Sequence, residues 1–241
     1  MRRILAIETA TKVCSVAVAD EKEVLGEVSL FIPQVHVERL VIMINNLLES
    51  LRLAYHDLDA VAVSTGPGSF TGLRIGLSAA KGIAFGQHKK LISVPTLEAL
   101  AHHALIYSDC EKIIVPILHA RANEFYYSSF SLEDSRLKMR ADVKVAEAGQ
   151  IADEFSADAC FVGEGIVEFS KHENVNGKFA INRMKNIPAS AKEIAMIAIE
   201  KFERGEFADL RTTVPTYIKD FVAVPKEMGK RNSSRKLLEK I

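Results

Sequence analysis

The chain has 241 residues, 48% hydrophobic and 26% charged, with 31 basic and 31 acidic side chains and a net charge of +0. This is the composition of a globular protein with room for one large domain or two small ones, and it excludes a global field for nucleic acid. No apolar run reaches the ~18 residues of a membrane span, and Ile4–Ile7 before Glu8 is too short for a secretory apolar core of about 7–15 residues, which predicts a cytoplasmic location and no membrane contact.

In chain order, residues 3–8, 13–19 and 23–31 read as three strands, and the last two are joined by the polar turn Asp20-Glu21-Lys22. A helix follows over 35–51. Its apolar stripe is Val37, Leu40, Val41, Ile44, Leu47, Leu48 and Leu51, and Val35, Ile42 and Met43 interrupt the otherwise polar opposite face. Strand 60–65 leads into Gly66-Pro67-Gly68 and then a helix over 70–86. The glycines tolerate positive φ, and the loop ends at a helix N-terminus with free N–H groups. The segment fits neither the P-loop pattern nor GxGxxG, so it is either a phosphate cradle or a tight packing turn. Strand 91–94 comes next, and Pro95 at the first helical position opens a helix to 107.

The order βββαβαβα is that of an actin-like, ribonuclease-H-like half, an α/β architecture with a mixed sheet. A second β-rich unit starts near 108, with strands over 112–118, 124–131, 137–145 and 159–162 and helices over 146–155, 164–171 and 189–203, a loose duplication of the first.

Helix 70–86 carries four glycines, each costing roughly 0.5–1 kcal/mol against alanine. Gly72, Ile75, Gly76, Ala79, Gly82, Ile83 and Gly86 form a stripe on which another backbone can come close. With the two-faced helix 35–51, this predicts a helical interface formed by Val35, Ile42, Met43, Gly72, Ile75, Gly76, Ala79, Gly82 and Ile83. The alternative is that the chain's own core covers both faces.

Chemistry is harder to place. Cys14, Cys110 and Cys160 have no CxxC spacing and predict neither a disulfide framework nor a zinc knuckle. Adjacent His102 and His103 point about 100° apart on a helix and cannot easily share a metal. His36, His56, His88, His119 and His172 are scattered, and Asp158, Glu164, Glu168 and Asp220 each fit a solvated carboxylate. The turn Glu8-Thr9-Ala10-Thr11 is either an ordinary hairpin turn or a weak match to a metal–phosphate turn. The tail from Lys226 to Ile241 is locally basic and reads as a solvated end or as an RNA or partner contact. No catalytic, metal or cofactor-binding residue is assigned.

The ordered set IETATKVCSVAVAD, HVERLVIMINNLL, AVSTGPGSFTGLRIGLSAAKGIAFG, LHARANEFYYSSF, FVGEGI and PTYIKDFVAVPK resembles the TsaB (YeaZ) family over residues 4 to about 226. The resemblance implies an actin-like ASKHA fold with two subdomains of mixed sheets flanked by helices. The first, 1–107, carries the partner interface; the second, 108–241, ends in the basic tail, with a terminal segment able to pack back on the first. It implies a non-catalytic subunit in the modification of tRNA adenosine 37 to its threonylcarbamoyl form.

Its expected partners are a TsaD-like catalytic subunit, a TsaE-like ATPase met through the complex, tRNA indirectly, and a second copy of the chain when the catalytic subunit is absent. No cofactor is expected, a nucleotide being conceivable only at the subunit boundary. The metal-binding HxxxH of the catalytic paralogue falls, by spacing, on Thr96 and Leu100, the first a poor ligand for a catalytic transition metal and the second none. The other readings are a metal-dependent glycoprotease-like (M22) peptidase and an independent actin-like ATPase.

Overall fold

Strand pairing repeats itself along this chain. The computed structural model describes residues 2–31, 36–107, 113–133, 136–180 and 183–218. The strands β1 (Ile4–Glu8), β2 (Cys14–Ala19), β3 (Val24–Leu30), β4 (Ala60–Ser64) and β5 (Lys90–Val94) form a sheet ordered β3-β2-β1-β4-β5. Strands β6 (Ile113–Arg121), β7 (Glu124–Glu133), β8 (Arg136–Glu147), β9 (Cys160–Val162) and β10 (Met184–Lys185) form a second, ordered β10-β9-β6-β7-β8. Each sheet joins an antiparallel meander to two parallel strands on the far side of its first strand. The duplication is one of topology, and the arrangement is the actin-like, ribonuclease-H-like one. The short strand β10 and a 3-10 turn at Tyr55–Asp57 are elements that the periodicity did not reveal.

The helices α1 (His36–Ser50), α2 (Phe70–Gly86), α3 (Thr96–Tyr107), α4 (Ala148–Glu154), α5 (Ile166–Phe169) and α6 (Ala191–Glu203) cover the sheets. Pro95 lies just outside α3, one place earlier than expected, and its carbonyl accepts from the Ala99 amide at 3.2 Å.

Alternation along the buried strands decides which helix goes where, because successive side chains leave opposite faces of a sheet. Leu5, Ile7, Val16, Val18, Val61 and Val63 point to one face, where Leu40, Met43, Ile44, Leu47 and Leu48 of α1 and Leu77, Ala80 and Ala84 of α2 meet them. The opposite face is mostly small, with Ala6, Ala17, Ala19, Ala60 and Ala62, and on it lies α6 through Ala191, Ile194, Ala195 and Ala198. The last described helix thus packs on the first sheet.

Helix α3 faces the second sheet, with Ala101 and Ala104 against Ile114, Phe130 and Val162. Helices α3 and α6 also touch, so they make the middle layer between the two sheets. On the far side of the second sheet, Phe125, Phe161, Phe169 and Phe179 form an aromatic core with α4 and α5. Cys14 is buried and free, whereas Cys160 is disulfide-bonded, one bridge where the spacing predicts none.

Glycine placement accounts for the seat of α2. A Cβ on Gly72 would lie 2.0 Å from the Thr9 carbonyl oxygen, and one on Gly76 2.1 Å from Thr9 Oγ1. On Gly82 or Gly86 it would meet nothing within 4 Å. Gly72→Ala and Gly76→Ala should therefore each lower unfolding stability by about 1–3 kcal/mol through overpacking. Gly82→Ala should raise it by about 0.5–1 kcal/mol through helix propensity. Denaturant midpoints of the three variants check this ordering.

Candidate partner interface and interlobe cleft

The glycine loop resolves as a packing turn. A Cβ on Gly68 would stand 2.3 Å from the Ala10 carbonyl oxygen, and Gly66, at φ +114°, lies against the backbone of Thr216. The Ser69 amide donates to the Ala10 carbonyl at 2.6 Å, the Ser69 hydroxyl accepts from the Gly72 amide at 3.2 Å, and the Thr9 hydroxyl donates to the Gly72 carbonyl at 2.8 Å. Several polar groups that a phosphate would need at this helix start are thus already committed within the chain.

Segment 207–218 straps the same region. The Ala208 amide donates to the Leu91 carbonyl and the Thr216 amide to the Thr65 carbonyl, both at 2.8 Å. Farther along, the Arg74 guanidinium stacks 3.8 Å from the Phe70 ring centre and its Nε donates to the Tyr217 hydroxyl at 3.0 Å. The basic tail 226–241, Asp220, Cys110 and Val35 lie outside the described residues.

Of the expected interface residues, the structure splits the set. Gly72 and Gly76 face inward against Thr9. Met43 is 5% exposed and belongs to the core under α1, whereas Val41, expected in the core, is 54% exposed. The buried stripe is Leu40, Met43, Ile44, Leu47 and Leu48, a run at i, i+3, i+4, i+7 and i+8 that shares four positions with the expected stripe and takes Met43 in place of Val41, a rotation of only about 30°. Ile42 remains outside at 46%, Ile75, Ala79 and Ile83 are half-buried, and Gly82 is exposed. Phe85, which the stripe did not include, is 75% exposed. The outer side of the α1–α2 pair therefore shows apolar Val41 and Ile42 and the uncovered parts of Ile75, Ala79 and Ile83 among polar side chains such as Glu38, Asn45, Arg74 and Ser78, and Phe85 stands beyond them at the C-terminal end of α2.

Next to it a cleft of about 1210 Å³ opens between the two sheets, lined by the β1–β2 turn (Thr11, Lys12), the start of α2 (Thr71, Ile75), His119 and Glu164. Ile75 and Thr71 belong to both α2 and this cleft, so a subunit seated on α2 would also border the cleft. Glu168 lines it too. At the end of β1 the Glu8 side chain is fully buried, one oxygen accepting from the Ala10 amide and the other without a partner in the structure. Burial pushes its carboxyl up to about 7, and nearby Glu164 adds to this, while the Ala10 and Thr11 amides and the Ser64 hydroxyl pull the other way.

Thr96 is fully buried with its hydroxyl unpartnered, and Leu100 is equally buried, packed with Leu97, Leu118 and Ala189. These positions do not fit a catalytic metal. Among the described residues no group of three or more His, Cys, Asp or Glu side chains is placed to hold one. His103 Nδ1 stands 3.6 Å from Glu193 Oε2 between α3 and α6, and burial holds both His102 and His103 below the usual imidazole range. Among the described residues no helix is long and apolar enough to cross a membrane.

Two topologically equivalent sheets around a middle helical layer define an actin-like protein of the two-lobed kind. The chain belongs to the family described as "TsaD: tRNA N6-adenosine threonylcarbamoyltransferase", which it matches over residues 29–223. Within that family it is similar to the tRNA threonylcarbamoyladenosine biosynthesis protein TsaB of Escherichia coli (strain K12), 29% identical over 95% of this chain and 99% of that protein. The TsaB of Bacillus subtilis (strain 168) is 28% identical over 90% of this chain and 93% of that one. The solved structure of YeaZ from Pseudomonas aeruginosa superposes with a TM-score of 0.78 at 25% identity, covering 90% of this chain and all of the other. The peptidase and independent ATPase readings are not favoured.

The Glu8 carboxyl has a stability signature. Its folded value lies above its ordinary 4.5, so between pH 4.5 and about 7 the unfolded chain has lost the proton that the folded chain keeps. Stability should fall over that window as pH rises, by at most about 3 kcal/mol, and level off above it. Glu8→Gln should remove this slope, which denaturant midpoints at pH 5 and pH 8 would read.

Proposed function

We propose that this chain is the partner protein of tRNA threonylcarbamoyladenosine biosynthesis and supplies no catalytic group itself. It binds a TsaD-like subunit through the outer side of α1 and α2 and holds that subunit in its productive arrangement. The observation that carries the reading is the pairing of that exposed apolar face with a buried threonine and a core leucine at Thr96 and Leu100. A chain with an outward docking face and no ligand set at the metal position works through association. The relatives named for this biosynthesis support the same role.

On this reading the transferase chemistry belongs to the partner, which joins the threonylcarbamoyl group to N6 of adenosine 37 in tRNAs that read codons starting with A. A TsaE-like ATPase joins through the assembled pair, in the cytoplasm. Without its partner the chain pairs with a second copy through the same helices, two-fold pairing being the commonest closed assembly. No cofactor is assigned to the chain alone. A nucleotide would have a place only where a docked subunit borders the interlobe cleft at Thr71 and Ile75.

Ile42 is exposed on the outer face and Ala79 is half-buried against the core, so a charge at Ile42 leaves the core intact and one at Ala79 costs some stability. Ile42→Glu and Ala79→Glu should each weaken co-purification with the TsaD-like subunit by at least about 10-fold, the cost of a central contact of 1.4 kcal/mol or more. Ile42→Glu should keep the parent's circular dichroism and melting curve, and Ala79→Glu should keep the parent's circular dichroism with a lowered melting temperature. Threonylcarbamoyl transfer to tRNA, reconstituted with the partner enzymes, should need the parent chain and fail with either variant. Undiminished association by both variants would count decisively against this face.

A further inference from the structure

A second groove, of about 880 Å³, lies between the C-terminal end of α2 and the segment 207–211. Its walls carry four permanent cations, Lys81, Lys89, Lys90 and Arg211, against one lining carboxylate, Asp209. In a chain of zero net charge this is a local concentration of positive charge. Asp209 is engaged in its own turn, its Oδ1 accepting from the Arg211 and Thr212 amides at 2.8 Å each. Lys89 Nζ spends one donor on the His56 carbonyl at 2.9 Å and has two left. Lys90 Nζ is poised 5.3 Å from the Phe207 ring centre.

Beside these cations stands Phe85, an aromatic ring 75% exposed, and a Cβ on the neighbouring Gly82 or Gly86 would meet no atom within 4 Å. The walls are tied together, since the Ala208 amide bonds the Leu91 carbonyl at the foot of the groove. A row of cations next to a free aromatic face is the chemistry that holds an RNA strand, phosphates on the ammonium and guanidinium groups and an unpaired base on the ring. An acidic protein segment would use the cations and leave the ring without a partner.

We propose that this groove binds a strand of the tRNA substrate, with phosphates on Lys81, Lys89, Lys90 and Arg211 and an unstacked base on Phe85. The proposal rests on the reading above and adds a direct contact between this chain and RNA, at a place apart from the Ile42 and Ala79 docking contacts.

The test measures binding of an unmodified tRNA transcript to the complex of this chain with the TsaD-like subunit, across a salt series. Lys81→Glu and Arg211→Glu should each weaken binding on the order of 10-fold and flatten the slope of log affinity against log salt by about 1. Phe85→Ala should weaken it on the order of 10-fold with the slope unchanged. All three should co-purify with the TsaD-like subunit as the parent does. Unchanged tRNA affinity in all three, or loss of that subunit from any of them, overturns the proposal, the latter by making the groove part of the protein interface. Should the parent chain itself fail to associate, the partner reading falls, and the same variants assayed as the single chain decide the groove by itself.

Discussion

Much of this structure depends on one close contact, the turn after β1 pressed into the glycine side of α2. Thr9 and Ala10 occupy the space that side chains at Gly68, Gly72 and Gly76 would need. With its hydroxyl bonded to the Gly72 carbonyl, Thr9 also fixes the rotation of α2 about its axis. A helix held so tightly on one side has its other sides determined: Leu73, Leu77, Ala80 and Ala84 enter the core, and Gly82 and Phe85 face out. The contact also engages part of the loop's hydrogen-bonding capacity within the chain. In a phosphate loop the helix N-terminus points its amides at a ligand; here the Ser69 amide and the Thr9 hydroxyl are bonded across the turn itself.

The middle layer follows from a second constraint, the difference in size between the two faces of the first sheet. Its alanine side admits α6 at short range, and α6 comes from the part of the chain that builds the second sheet. Helix α3, which follows the first sheet in sequence, covers the second. Each sheet is therefore closed by a helix from across the molecule, and the lobes are joined by packing as well as by chain. The interlobe cleft is the gap left beside this layer, and its polar lining comes from the β1–β2 turn (Thr11, Lys12), the start of α2 (Thr71), β6 (His119) and the segment after β9 (Glu164, Glu168).

How far the sequence reveals this varies with the range of the contact responsible. Periodicity places all six helices and nine strands of the described residues, because burial of one stripe or one face is a local property. The two-residue strand β10 has too few positions for a period and exists only through its pairing with β9. In α1, Val41 and Met43 are both apolar and stand on opposite sides of the buried stripe; only the neighbouring sheet decides which turns inward. The four glycines of α2 announce a close approach without saying to what. Two of them answer to Thr9, more than sixty residues earlier, and two answer to no atom of the described chain. The buried, partly neutral Glu8 is equally invisible in sequence, where it is one more turn carboxylate; the shift comes from the depth of its burial.

Helix α2 is the element on which the functional argument turns, because its length brings it against different surroundings. Its first two turns are consumed internally by Thr9, Ser69 and the Tyr217 strap. Its middle, through Ile75 and Ala79, is half-covered by α1 and offers the rest outward. Its last turns carry Lys81 and Phe85 into a basic groove. The start of α2 is filled by backbone packing against the β1–β2 turn, and the helix that follows buries Thr96 and Leu100. What remains of α2 is surface, and a surface with an apolar middle and a cationic end is suited to holding a protein and a polyanion side by side. On the proposed reading both sites sit on one helix more than four turns long, so docking one partner would set the distance to the other.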